Sequence, residues 1–155
     1  LARVLRERGQ MADAEELARE TLAARKQVLA LNDGRTAYTM TVLGGLLSER
    51  GQLDEAELLL RQAQSIFRKY YSEQRRLAAV AENWLGALYL GRRNYEQAEH
   101  LLLPLSEQFF SFKVQMSPQE RRRMVRHILQ LYESWEKREQ AETWRTKLAR
   151  IPETL

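Results

Sequence analysis

The 155 residues include 25 Lys and Arg against 21 Asp and Glu, a formal net charge of +4, no Cys and 44% hydrophobic residues. That composition can build the core of one domain or a short repeat array, and it excludes disulfides, thiolate metal sites and cysteine nucleophiles. No stretch approaches the ~18 consecutive apolar residues of a membrane span, and Leu1 to Gln10 lacks the layout of a signal peptide, so a cytoplasmic protein is the default expectation. Charges alternate in sign along most of the chain, the pattern of solvated helical faces. The chain opens on Leu1 inside a helical pattern, which reads as the C-terminal part of a longer protein.

Apolar spacing predicts helices near 1–8, 11–31, 35–50, 53–71, 74–91, 95–110, 118–136 and 138–149, and no strand. Gly9 and Gly51 fall where the first and third helices must stop, because glycine takes positive φ without Cβ strain. Asn32-Asp33-Gly34 is a short turn. In the third helix Leu43, Leu46 and Leu47 recur at helical spacing, and Leu53, Ala56, Leu59, Leu60 and Ala63 do so in the fourth. The fifth helix reaches Gly91 but has Arg93-Asn94 at the later turn position, which predicts a shifted turn. Pro104 removes a backbone donor and predicts a kink or division of the sixth helix. Residues 111–117 form a longer connection, and Ser117-Pro118-Gln119-Glu120 is a capping box opening the next helix.

The helices fall into repeats. Arg8-Gly9-Gln10-Met11-Ala12-Asp13-Ala14-Glu15 matches Arg50-Gly51-Gln52-Leu53-Asp54-Glu55-Ala56-Glu57, then Arg92-Arg93-Asn94-Tyr95-Glu96-Gln97-Ala98-Glu99 and Lys137-Arg138-Glu139-Gln140-Ala141-Glu142. The offset is 42 residues from Ala14 to Ala56 and from Ala56 to Ala98, and 43 from Ala98 to Ala141. Leu1, Leu43, Leu85 and Ile128 share one register, as do Leu5, Leu47, Tyr89 and Tyr132. Two apolar columns in one register exclude chance similarity, and the helical spacing within each unit makes it a helical hairpin.

With Leu43-Gly44, Leu85-Gly86, the aromatic or Leu three positions after each Gly and the Ala column, the chain resembles tetratricopeptide repeats over nearly its whole length. The longer period adds about one helical turn per helix to the usual 34-residue unit and is similar to kinesin light chains and many bacterial arrays. It departs from the pattern where Met40 and Glu82 replace the early Trp, with Trp84 two residues late, and where Leu129 replaces the Gly. The resemblance implies an all-α, right-handed αα superhelix of about four hairpins: a single array over 1–155 with repeats near 1–34, 35–73, 74–116 and 117–155.

An enzyme would need a nucleophile, an acid/base pair or a metal cluster. His100 and His127 lie on different helices without ligand spacing, and the column Glu15, Glu57, Glu99 and Glu142 reads as a solvated outer face. No catalytic residue, metal or cofactor is therefore expected. The resemblance instead implies a protein-interaction scaffold whose first helices line a concave groove. Carried over by position, the groove candidates are Arg3 and Arg6; Tyr38, Thr41, Gly45 and Ser48; Val80, Asn83, Ala87 and Leu90; and Arg123, Arg126, Gln130 and Glu133. Asn83 would grip a peptide backbone by donating and accepting. Arg123 and Arg126 either favour an acidic peptide or solvate the exposed side of a capping helix. The family's carboxylate clamp is absent, with Thr41 and Gly45 in its places. Self-association through exposed array ends is the alternative function, and weak nucleic-acid binding through the Arg clusters is a third. Phe109, Phe110, Phe112, Tyr70 and Tyr71 pack a hairpin end or form an apolar contact patch.

Overall fold

The structure is a computed structural model and describes residues 4–5, 9–30, 32–71, 73, 75–111 and 117–152. Among them are seven long helices: α1 (Met11–Val28), α2 (Gly34–Glu49), α3 (Leu53–Tyr70), α4 (Arg75–Gly91), α5 (Tyr95–Phe110), α6 (Pro118–Ser134) and α7 (Arg138–Ala149). No strand occurs among the described residues. Val4 and Leu5 are helical, and the remainder of the helix expected near 1–8 lies outside the described residues. The chain packs as two compact units, Leu1–Trp84 and Leu85–Leu155.

Each hairpin turns in the same way. Gly9 (φ 79°), Gly51 (φ 77°), Arg93 (φ 58°) and Glu136 (φ 59°) hold the left-handed position in successive repeats. The following N–H reaches back five residues in all four: Gln10 to Leu5, Gln52 to Leu47, Asn94 to Tyr89 and Lys137 to Tyr132, each at 2.9 Å. This is the Schellman closure, which satisfies carbonyls left over at a helix C-terminus. The turn after α4 is therefore not shifted. Arg93 takes the positive φ that Gly51 takes 42 residues earlier. Main-chain hydrogen bonding sets the turn, and a residue with a Cβ adopts it at a cost.

Packing follows the two columns. In the first unit Ala14, Ala18 and Leu22 of α1, Leu43, Leu46 and Leu47 of α2, and Ala56, Leu60, Ala63 and Phe67 of α3 are all buried. A Cβ on Gly44 would stand 2.7 Å from Leu60 Cγ, so the missing side chain sets how closely α2 and α3 cross. In the second unit Ala98, Leu102, Met124, Ile128, Leu131, Tyr132, Ala141 and Trp144 are buried. A Cβ on Gly86 would meet Leu102 Cδ2 and Cγ at 2.5 Å, the same close crossing one repeat on.

Helix ends are capped as their residues dictate. Asp33 accepts from Arg35 N–H at 2.8 Å and opens α2, whose first N–H, on Gly34, donates to Tyr71 Oη at 2.7 Å. Ser117 and Glu120 make the reciprocal capping box at the start of α6. Pro104 does not divide α5, which runs unbroken from Tyr95 to Phe110. Pro104 lies on the exposed side of the helix, so water can satisfy the carbonyl that its missing N–H leaves open.

Candidate partner-binding surface

The acidic column is not simply a solvated face. Glu15, only 8% exposed, sits on α1 and accepts from Arg50 at the end of α2 at 2.6 Å and from Arg19 at 2.9 Å. Arg19 then spans to α3, where its two terminal nitrogens donate to the carboxylate of Glu55 at 2.6 and 2.8 Å. Hydrogen bonds to Glu55 first and Glu15 second raise the Arg19 pKa, and the hydrogen bond from Arg19 lowers that of Glu55. In the second unit Glu99 of α5 accepts from the Tyr132 hydroxyl of α6 at 2.8 Å and lies 3.7 Å from Lys137 Nζ. Within each unit one member of the column thus ties a hairpin to the next, Glu15 in the first and Glu99 in the second, whereas Glu57 pairs with Arg61 at 2.7 Å and Glu142 with Arg145 on their own helices. Its sequence signal was the i, i+4 spacing of Glu15 and Arg19, which is shared with any exposed helix pair.

The expected groove residues divide by burial. Tyr38 on α2 is 37% exposed, whereas Thr41 on the same helix is 2% exposed and its hydroxyl donates to Ala37 O at 3.0 Å. Asn83 on α4 is also 2% exposed and is engaged within the fold. Thr41 and Asn83 therefore present no polar atom at the surface. Gly45 faces Trp84, where a Cβ would come within 2.6 Å of the indole, so the late tryptophan of α4 fills the place expected to be groove. Ala87 is half-buried. Arg6 lies outside the described residues.

In the second unit Arg126 and Gln130 are exposed on α6 and Arg123 is half-buried. Glu133, the acidic end of the same stripe, is held by Arg145 of α7 at 2.6 Å. Arg122 donates to the Ile151 carbonyl and so fastens the chain end rather than the stripe. Trp135 stacks on Tyr95 with ring centroids 5.7 Å apart, and Lys137 Nζ lies 3.3 Å from the Trp135 centroid. Phe109 is buried, while Phe110 is 41% exposed with its centroid 6.2 Å from that of Trp144. His100 is exposed and His127 half-buried on separate helices. Among the described residues no group of three or more His, Cys, Asp or Glu could hold a metal ion, and no helix is long and apolar enough to cross a membrane.

The description "Tetratricopeptide repeat" belongs to the family model that matches residues 1–69. The sequence of this first part is that of tetratricopeptide repeats. Among solved structures it is similar to BtubC (BKLC) from P. vanneervenii at a TM-score of 0.74 and 20% identity, over 97% of this chain and 60% of that one. It therefore spans less than two thirds of that protein's length. It is also similar to a protein from Podosopora anserina with nearly identical TPR-like repeats of kinesin-light-chain type, at a TM-score of 0.63 and 21% identity over 97% of this chain and 71% of that one. A single-substitution variant of the Podosopora protein gives a TM-score of 0.66. These likenesses extend the tetratricopeptide fold beyond residue 69 to nearly the whole chain. No curated protein sequence matches.

Proposed function

We propose that residues 1–155 form one array, with repeats near 1–34, 35–73, 74–116 and 117–155, that holds a segment of a partner protein on the first helices of its hairpins. Tetratricopeptide repeats are generally non-catalytic scaffolds for protein–protein interaction. The observation that carries the finer reading is the α6 stripe. Arg126 and Gln130 stand exposed on a first helix, and the carboxylate beside them, Glu133, is occupied by Arg145. A guanidinium so placed favours an acidic segment through charge-assisted hydrogen bonds. Tyr38 supplies an aromatic contact surface on α2. Thr41 and Asn83 leave this surface because they are buried, and Arg123 and Ala87 flank it. The setting that suits such a module is a larger cytoplasmic regulatory or signalling protein.

The test is retention of proteins from source-cell lysate on the immobilised chain, compared with Arg126→Glu/Gln130→Ala and Tyr38→Ala variants and read by mass spectrometry. Proteins held by the parent chain and lost with the variants support the reading. Equal retention on all three, or none on the parent, overturns it; in the second case a concentration-dependent mass in sedimentation identifies self-association instead.

A further inference from the structure

A second recognition site lies away from the first-helix face. The C-terminal halves of α1 and α3, both second helices, enclose with α2 a cleft of about 490 Å³ in the first unit. Its floor is apolar: Met40 is 4% exposed and Ile66 is half-buried. Lys26 from α1 and Lys69 from α3 stand at the rim with the half-exposed ring of Tyr70, and Asn32 closes one side. Met40 is two residues from Tyr38, about 200° around α2, so the cleft opens on the opposite face from the first-helix surface.

The cleft has a definite electrical character. Among the described residues no Asp or Glu lines it, and neither lysine has a carboxylate partner. Arg19, Arg35, Arg50, Arg61, Arg68 and Arg145, by contrast, all pair with carboxylates. The donors also converge. Hydrogen bonds from Lys69 first, and from Asn32, lower the Tyr70 pKa, and Lys69 Nζ lies 5.1 Å from the Tyr70 centroid.

We infer that this cleft binds an acidic segment of a partner protein that places one apolar side chain on Met40 and Ile66 and carboxylates against Lys26 and Lys69. A small inorganic anion would satisfy the lysines but leave the apolar floor wet. An uncharged apolar segment would bury the floor but leave two ammonium groups without counter-charge. Only a ligand with both features matches floor and rim together. The inference is independent of the first-helix surface, since it uses none of its residues.

The test uses the 155-residue chain with methyl-labelled Met and Ile and the probe Ac-Glu-Glu-Leu-Glu-Glu-NH2, followed by NMR and by anisotropy of a fluorescein-labelled copy. Expected are shifts centred on the Met40 and Ile66 methyls, an affinity at least tenfold weaker for Lys26→Glu/Lys69→Glu, and a several-fold loss when Ala replaces the probe's Leu. Both lysines are exposed, so the variant should fold, and an unchanged circular dichroism melt verifies this. Four outcomes would each overturn the inference: shifts away from Met40 and Ile66, affinity unchanged in the double variant, equal binding of the Ala probe, or probe binding no tighter than inorganic phosphate. Binding to phosphatidylserine vesicles but not to the peptide would replace the protein partner with a membrane surface. Arg126→Glu/Gln130→Ala is the control and leaves probe binding here unchanged, so failure of one site is distinguishable from failure of the other.

Discussion

Replacing Arg93 by glycine should stabilise the protein. Arg93 holds φ 58° at a turn where the equivalent residue two hairpins back, Gly9, and one back, Gly51, have no Cβ. An L-residue in that region carries about 1–2 kcal/mol of steric cost. Glycine removes it but adds back about 0.4–1 kcal/mol through the freer unfolded chain. The net gain is about 0.5–1 kcal/mol, or about 1–4 °C in Tm at this size. The exposed Arg93 side chain has no cavity to leave behind. Arg93→Ala serves as the control, because it deletes the same side chain without freeing φ and should give no gain. Gly51→Ala is the reciprocal: its Cβ would meet nothing within 4 Å, so the expected net loss of about 0.5–1 kcal/mol, strain less the entropy removed from the unfolded chain, is all backbone. The assay is urea unfolding followed by circular dichroism, reading the midpoint at constant m. A lower midpoint for Arg93→Gly, or equal gains for Arg93→Gly and Arg93→Ala, would refute the claim that the turn is strained.

Gly45→Ala should lose about 1–2 kcal/mol, since overpacking against the buried Trp84 indole at 2.6 Å outweighs the gain of about 1 kcal/mol in helix propensity; the melt and a shift in tryptophan emission check it. Glu15→Gln should cost about 1–2 kcal/mol by weakening the bonds to Arg19 and Arg50, and the difference from the parent should shrink in high salt. The Tyr132 pKa is raised, first by burial and then by its hydrogen bond to Glu99, so the folded state favours the neutral phenol. That contribution is complete below about pH 10, where unfolded tyrosine ionises, and is lost as pH rises towards the folded value. Tyr132→Phe should therefore be less stable at neutral pH by about 1 kcal/mol and should decline less steeply above pH 10, as read by urea midpoints across pH.

Much of the fold was legible because it rests on period and side-chain size. The columns Leu47–Tyr89–Tyr132 and Ala14–Ala56–Ala98–Ala141 mark the residues that accept the turn hydrogen bond and the residues at the helix crossings. What misled was composition at two main-chain positions. Arg93 is not a residue that announces positive φ, and Pro104 is not one that announces an unbroken helix, yet the first is held by the Schellman bonds and the second faces water. The surface was less legible. Helical spacing places Tyr38, Thr41 and Gly45 within one arc of α2, but it cannot show that Trp84 covers Gly45 or that Thr41 lies beneath the surface. The Lys26–Lys69 cleft was hard to see in sequence, because Arg25-Lys26 and Arg68-Lys69 recur at 43 residues rather than the 42 of these two repeats, and basic residues in a last turn are favoured on any helix.

The identical backbone closure of all four turns makes the hairpin an interchangeable part. A segment of 42 or 43 residues cut at equivalent turns carries both of its helix ends already finished, whatever side chain occupies the bend. What does not travel so freely is the buried carboxylate of the column. A transplanted hairpin brings a glutamate that must find a donor in its new successor, as Glu15 finds Arg50 and Glu99 finds Tyr132. Shuffling repeats at these two junctions is thus limited by one donor–acceptor match at each, and a designer lengthening the array there would choose that pair before any core residue.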